Sequence, residues 1–524
     1  MKRHIGLLLF LLCIGITWAE GTNSDYRFTV QFSPARIRWN PHYAYTTTEA
    51  QIFTALYEGL ATLHPATLRP IPAAAESWET NEEGTLYRFF LRDDLKWSNG
   101  ETLDAHDFRE SWLTLMNPEV EAEYASLLDM IVGAQSYRTG MGDAEDVGIE
   151  VIDSQTLEVR LERASPQFLS ILCHYTFAPI HKDFREMKDW SAVRSVPVNG
   201  PYTISARTPE EILFDANPEY WDQESVGVSH LRLIFLDDPE DVMARYNRFE
   251  IDWIVSGMDT SLLSTQEALN VSPLFSTTYY YFSNVSGTWT DGRVRRALAL
   301  LVPWEEIRGD RFIPGTSLVP PIPNYPLAEA GFPSITERKE EAMTLLSAAG
   351  YPEGKGLPSP VLRVPTDDIV AQAMKKAWDE ELGLETIIES VDFANYYRSV
   401  REGGFDIATL TWTGDYADPH TFLGMWESTS SFNDARYENP AFDALLRTAA
   451  TLPRQERLDK LKEAEEILLR TCQVMPVEHF PAVNIIDTRF VDGWFPNALD
   501  IHPFKNLSPK LGFDIPGVAL RSMK

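Results

Sequence analysis

No stretch of this chain reads as a linker, and that limits its possible folds more than any other feature. A chain of 524 residues is too long for one compact core and has to divide into about two to four domains. Yet it carries no low-complexity linker and no internal repeat. The domain boundaries must therefore fall in short connections, as they do when a chain crosses repeatedly between lobes.

Within those domains, strand and helix signals alternate irregularly, as in a mixed α/β protein. Leu157, Val159 and Leu161 alternate with Glu158 and Arg160 after a turn at Asp153–Ser154, which predicts a half-buried strand. A second strand is predicted over 87–92, ending before the turn at Ser98, Asn99 and Gly100. Asp104 is placed to cap a helix whose apolar positions are Phe108, Trp112 and Leu115. A helix over 338–349 stops at Gly350 with Pro352 beyond, and another follows Pro453 with Leu458, Leu461, Ala464 and Leu468 on one face.

The first twenty residues are a different kind of signal. Lys2, Arg3 and His4 precede an apolar run from Ile5 to Ile16, and Thr17-Trp18-Ala19 offers a small residue before a cut. The run is too short to span a bilayer, which takes ~20 apolar residues, so residues 1–19 are expected to be a cleaved signal peptide. Cys13 lies inside the run behind the large Leu12, so lipidation is not expected and the product is expected to be free in the periplasm.

The formal charge of −31 repels phosphate backbones and argues against nucleic acid as a partner. Cys173 and Cys472 are expected to be buried single thiols. With no CxxC and ten scattered histidines, neither a metal site nor a cofactor is expected. The chain also lacks GxSxG and HExxH, so the usual hydrolase signals are missing. A two-carboxylate glycosidase stays open on motif grounds, because 77 acidic residues supply many pairs.

Several segments, in order along the mature chain, carry a resemblance. They are Ala55-Leu56-Tyr57-Glu58-Gly59-Leu60, Ala75-Glu76-Ser77-Trp78-Glu79, and the run from Tyr87 through Lys96-Trp97-Ser98-Asn99-Gly100. Asn199-Gly200-Pro201-Tyr202, Asn217-Pro218-Glu219-Tyr220-Trp221, Arg293-Val294-Arg295-Arg296-Ala297-Leu298 and Ala349-Gly350-Tyr351-Pro352 follow. The last is Phe405-Asp406-Ile407-Ala408 leading into Trp412-Thr413-Gly414-Asp415-Tyr416-Ala417-Asp418-Pro419. Together they resemble the oligopeptide-binding branch of the solute receptors of ABC importers, solute-binding protein family 5.

That resemblance implies an α/β, two-lobed periplasmic-binding-protein fold of type II, cluster C, with an extra domain inserted in the first lobe. Lobe one would comprise 20–57, 184–276 and 487–524, the inserted domain 58–183, and lobe two 277–486. The implied function is non-catalytic: a monomeric receptor without cofactor captures peptides between the lobes and delivers them to an inner-membrane permease and its ATPase subunits.

The resemblance also implies site residues. Asp415 stands where the branch places its ammonium-binding aspartate; the alternative is that it only caps a turn. Tyr124 matches a tyrosine that touches the first ligand residues. Trp412, Thr413 and Gly414 flank the aspartate and resemble backbone-contacting positions. Tyr45, Thr46 and Thr47 correspond to a segment that pairs with the peptide backbone, and Phe393 stands where relatives carry tryptophan.

The chain departs from the pattern elsewhere. Phe282 replaces a glutamate after three tyrosines, Asp367 falls near a histidine position, and Thr409 and Val400 replace cations that receive a ligand carboxylate, with Arg398 and Arg401 nearby as substitutes. Peptide length and side-chain preference are therefore left open. A rival ligand in the same fold is an oligosaccharide or a metal chelate, and the acid at 415 favours an amine instead.

Overall fold

The computed structural model describes residues 27–510 except 45, 123, 194, 286, 310, 312, 323, 329–334, 367 and 431, and omits the side chains of 335, 336, 393 and 394. The expected signal peptide, with Cys13 and Ala19, and Tyr45 lie outside the described residues, as does Asp367.

Two long strands organise the molecule. Leu269–Phe282 and Val474–Ile486 pair antiparallel, from Leu269 opposite Ile485 to Tyr281 opposite Val474. The ladder is interrupted between Pro273 and Thr277, and the last regular pair before the gap sets Pro273 opposite Pro481. Neither proline has an N–H to give, so ladder pairing fails where the two meet. The chain leaves the ladder there, and Phe275 N–H bonds instead to the carbonyl of Ala498 at 2.6 Å.

A half-sheet hangs on each end of this ribbon. On one side Trp253–Ile254 joins Val474–Ile486, followed by Phe28–Phe32, His230–Phe235, Glu211–Ala216 and Tyr202–Arg207. On the other, Ile407–Thr413 pairs with the far half of Leu269–Phe282, followed by Val361–Pro365 and Ile387–Val391. The strand pairs beside Phe28–Phe32 and beside Val361–Pro365 are parallel, and apolar residues cover both faces of the second half-sheet.

A third body lies within residues 58–183. Ala75–Thr80, Leu86–Leu91, Thr156–Arg160 and Ile149–Asp153 form an antiparallel sheet in that order. The helix Ala105–Met116 packs on it through Phe108, Trp112 and Leu115, the predicted stripe. Asp104 caps this helix, accepting from His106 N at 2.8 Å. The helices Ile335–Ala348 and Arg454–Arg470 likewise fall where their patterns place them, with Gly350 at φ +95° beyond the first.

Two expectations need correction. Glu158 does not face solvent: it is buried and paired with Arg88 at 2.7 Å, so the Thr156–Arg160 strand is covered on both faces at this point. Of the two thiols, both free, Cys472 is buried but Cys173 is only half-buried, because it borders a cavity.

Candidate ligand site

The strand Ile407–Thr413 ends on the ribbon, with Trp412 opposite Thr277 and Thr413 opposite Ser276, whose hydroxyls meet at 2.9 Å. Gly414 then turns the chain against that neighbour. Its N–H bonds to the carbonyl of Phe275 at 2.8 Å, and a Cβ there would stand 2.4 Å from Phe275 Cδ1 and 2.7 Å from Thr421 Cγ2. Only glycine allows so close an approach.

The following loop is fixed by Asp418 rather than by Asp415. Asp418 accepts from His420 N at 2.9 Å and from both Arg457 nitrogens at 2.7 and 2.8 Å. Burial disfavours its charge, but Arg457 outweighs this and holds its carboxyl below the usual carboxylate range. The turn-capping role considered for Asp415 is thus filled three residues later.

Asp415 is left with a half-buried carboxylate that no lysine, arginine or histidine approaches within salt-bridge distance among the described residues. Burial pushes it up to about 7, only partly offset by its own backbone N–H. Asp415 and Tyr416 close one side of a cavity of ≈ 80 Å³, room for several water-sized groups.

The opposite wall comes from Ala50 and Thr54 of the helix Thr47–Leu56 and from Ser170, Cys173, His174 and Tyr175. Leu63, Leu68, Leu499 and Ile501 make much of the remainder apolar. His174 lies between two rings, with Tyr124 at 4.4 Å and Tyr175 at 4.2 Å between centroids. Burial drives its imidazole down to about 3, so it is neutral and supplies no cation to Asp415. Tyr175 donates to the carbonyl of Ala44 at 2.9 Å. Its phenol is raised far above its usual value by burial, with Tyr124, Glu49 and Asp415 adding to the effect.

At the far end, Lys505 sits 3.6 Å from Glu58 and 3.2 Å from Asp222, and donates to Tyr220 OH at 2.8 Å. Glu58 also accepts from Trp221 Nε1 at 2.6 Å. That end is internally paired; the Asp415 end is not. An enclosed, largely apolar space with one unpaired acid favours an organic cation carried on an apolar or peptidic body.

Residues 69–434 match the family model described as bacterial extracellular solute-binding proteins, family 5. The chain belongs to that family.

This family-5 receptor is 28% identical over 492 residues to the periplasmic oligopeptide-binding protein OppA of Salmonella typhimurium, covering 90% of this chain and 89% of the other. The unliganded open form of the periplasmic murein tripeptide-binding protein MppA superposes with a TM-score of 0.77 at 26% identity, over 92% of this chain and 97% of that one. Haemophilus influenzae OppA in complex with the peptide RPPGFSPFR superposes at 0.72 and 25% identity, over 93% and 99%. The receptor has the two-lobed periplasmic-binding fold.

Among the expected site residues, Asp415 borders the cavity directly and Tyr124 stands behind it, against His174. Gly414 and Thr413 position the aspartate without lining the space. Trp412 turns to Phe432, 5.9 Å away between centroids. Thr46 caps the helix Thr47–Leu56 in a reciprocal pair with Glu49, so its hydroxyl is committed, and Thr47 is exposed at the first turn. Phe393 opens the helix Phe393–Glu402. Arg398 bonds to Asn395, and Arg401 acts on Asp434 instead of on the Asp415 cavity.

Sequence reasoning missed His174, Tyr175, Tyr416 and Lys505. Only the unusual adjacency of histidine and tyrosine at 174–175 hinted at the first two. Tyr416 is the least expected, because it follows the distant strand Ile407–Thr413 and yet is buried in the apolar core of the 58–183 body.

Proposed function

We propose that this receptor captures peptides in the periplasm by their free amino terminus, closes its two lobes on them without chemical change, and hands them to an inner-membrane ABC permease with its ATPase subunits. The observation that carries this reading is the unpaired Asp415 carboxylate beside a largely apolar cavity whose other charges are satisfied. Relatives named for oligopeptide binding, one of them in complex with a peptide, support it.

The same reading assigns lobe one to 20–57, 184–276 and 487–524, the inserted domain to 58–183, and lobe two to 277–486. Support comes from the two long strands, which carry the chain between the half-sheets. Tyr124, Trp412, Thr413, Gly414, Thr46, Thr47, Tyr45 and Phe393 take the ligand-contact roles their positions imply, with Asp415 as the ammonium partner.

Calorimetry with matched peptides tests this. Free-amine peptides should bind, N-acetylated ones should bind poorly, and Asp415→Asn should weaken the former by ~3–5 kcal/mol, because the ligand ammonium is then buried unpaired. That is roughly 100- to 3,000-fold in affinity. N-acetylated peptides should respond little to the same substitution. Equal binding of both peptide types by the wild type would place the amine elsewhere.

A further inference from the structure

A second acid without a partner adjoins the same strand. Beside Trp412, the Leu410 side chain of Ile407–Thr413 borders a separate cavity of ≈ 20 Å³ walled by Tyr279, Tyr281, Trp426 and Phe432, with Asp434 at its edge. The contact of Trp412 with Phe432 joins this cavity to the segment that carries Asp415. The Asp434 carboxylate is half-buried and has no hydrogen bond or ion pair among the described residues. Burial raises it above the usual carboxylate range even though the exposed Arg401 and Arg436 act in the opposite direction. No donor in the described walls bonds to it: Tyr279 OH points to Met425 Sδ at 3.9 Å, and Trp426 Nε1 is buried without reaching an acceptor.

We infer that Asp434 is a specificity residue that selects a lysine side chain in the bound peptide. The inference rests on the peptide reading above. A carboxylate framed by aromatic rings suits an organic cation, which gains both the charge-assisted hydrogen bond and the ring faces. The cavity admits a group about the size of a water molecule, which an ammonium matches. A neutral side chain there leaves the acid desolvated and unpaired, and an acidic one adds repulsion.

The placement also fixes where along the ligand the cation must be. Trp412 and Leu410 lie three and five residues before Asp415, at most ~10 and ~17 Å away, the reach of extended chain. A peptide whose ammonium sits on Asp415 and whose backbone follows this strand brings a side chain from its second to fifth residue to Asp434.

The test is calorimetry on the full-length mature protein with free-amine pentaalanine, and with pentapeptides carrying one lysine, norleucine or glutamate at each of positions two to five. At one position lysine should bind at least ~10-fold tighter than norleucine, about the effect of 1.4 kcal/mol. Asp434→Asn should abolish that preference and leave pentaalanine within a factor of two, and Asp434→Ser should do the same. Equal binding of lysine and norleucine at every position, or a lysine preference that survives both variants, overturns the assignment. Pentaalanine that binds without any lysine preference refutes this inference alone. Failure of every free-amine peptide to bind refutes the peptide reading and this inference with it.

Discussion

A desolvated acid is a burden on the fold, and Asp415 allows that burden to be measured. Its carboxyl is raised to about 7 in the folded chain, against ~3.9 in an unstructured one. The folded state therefore holds the proton more tightly than the unfolded state. Stability from this group is greatest at low pH, falls as pH rises toward 7, and above that is reduced by up to ~4 kcal/mol, at 1.36 kcal/mol per unit. Between pH 5 and 8 the loss is ~2.7 kcal/mol. Asp415→Asn has no proton to lose. In urea titrations of ligand-free protein followed by tryptophan fluorescence, the variant should gain ~2.7 kcal/mol on the wild type from pH 5 to pH 8. Taking the difference between the two proteins removes the titration of every other group they share.

Binding should show the opposite sign. Peptide affinity in the wild type should improve ~50-fold from pH 5 to 7 as Asp415 ionises, while the α-amino group, near 7.7–8.0, stays mostly charged. The Asn variant should show no such rise. Parallel stability curves for the two proteins, or a variant that is less stable at pH 8, would refute the argument that Asp415 is desolvated and unpaired.

Gly414→Ala puts a Cβ against Phe275 and Thr421, and should cost ~1–3 kcal/mol in chemical denaturation. Arg457→Ala strands the buried Asp418 carboxylate; a loss of ~3–5 kcal/mol at neutral pH is expected, shrinking in acid as Asp418 takes up a proton. Tyr416→Ala withdraws from the core of the 58–183 body a ring supplied from far along the chain, a truncation that costs ~3 kcal/mol or more for aromatics. Small-angle scattering should then show a larger radius of gyration at the same peptide concentration, with Tyr416→Phe close to wild type.

Much of the fold was legible because its signals are local. The Asp104 cap, the stripe of Phe108, Trp112 and Leu115, and the stop at Gly350 each depend on a few consecutive residues, and each appears as read. Glu158 misled because alternation predicts a solvent-facing position, whereas Arg88 on the adjacent strand allows an acid to be buried there. The cavity was legible only at Asp415, and only through resemblance. Its walls come from residues near 50, 63, 173, 415 and 501, which no periodicity connects. The pairing of Lys505 with Glu58 and the lack of a cationic partner for the Asp415 carboxylate among the described residues are facts of three-dimensional arrangement; in the sequence all three are simply charged residues. Asp434 was hidden for the same reason, since an acid in a loop reads as a solvated one.

The isolation of Asp415 depends on its neighbours. A loop aspartate normally escapes desolvation by swinging into water or by capping a turn. Here Gly414 is pinned to Phe275 on one side and Asp418 is clamped by Arg457 on the other, so the loop is held at both ends. The imidazole that shares its cavity, His174, is kept neutral by burial and cannot supply the missing charge. The net charge of −31 draws cations toward the whole molecule, but beyond ~8 Å in physiological salt that field is screened and cannot choose among them. Selection must therefore occur at contact distance: Arg457 is committed to Asp418 and Lys505 to Glu58 and Asp222, and under the proposed function the charge that neutralises Asp415 is one the ligand brings with it.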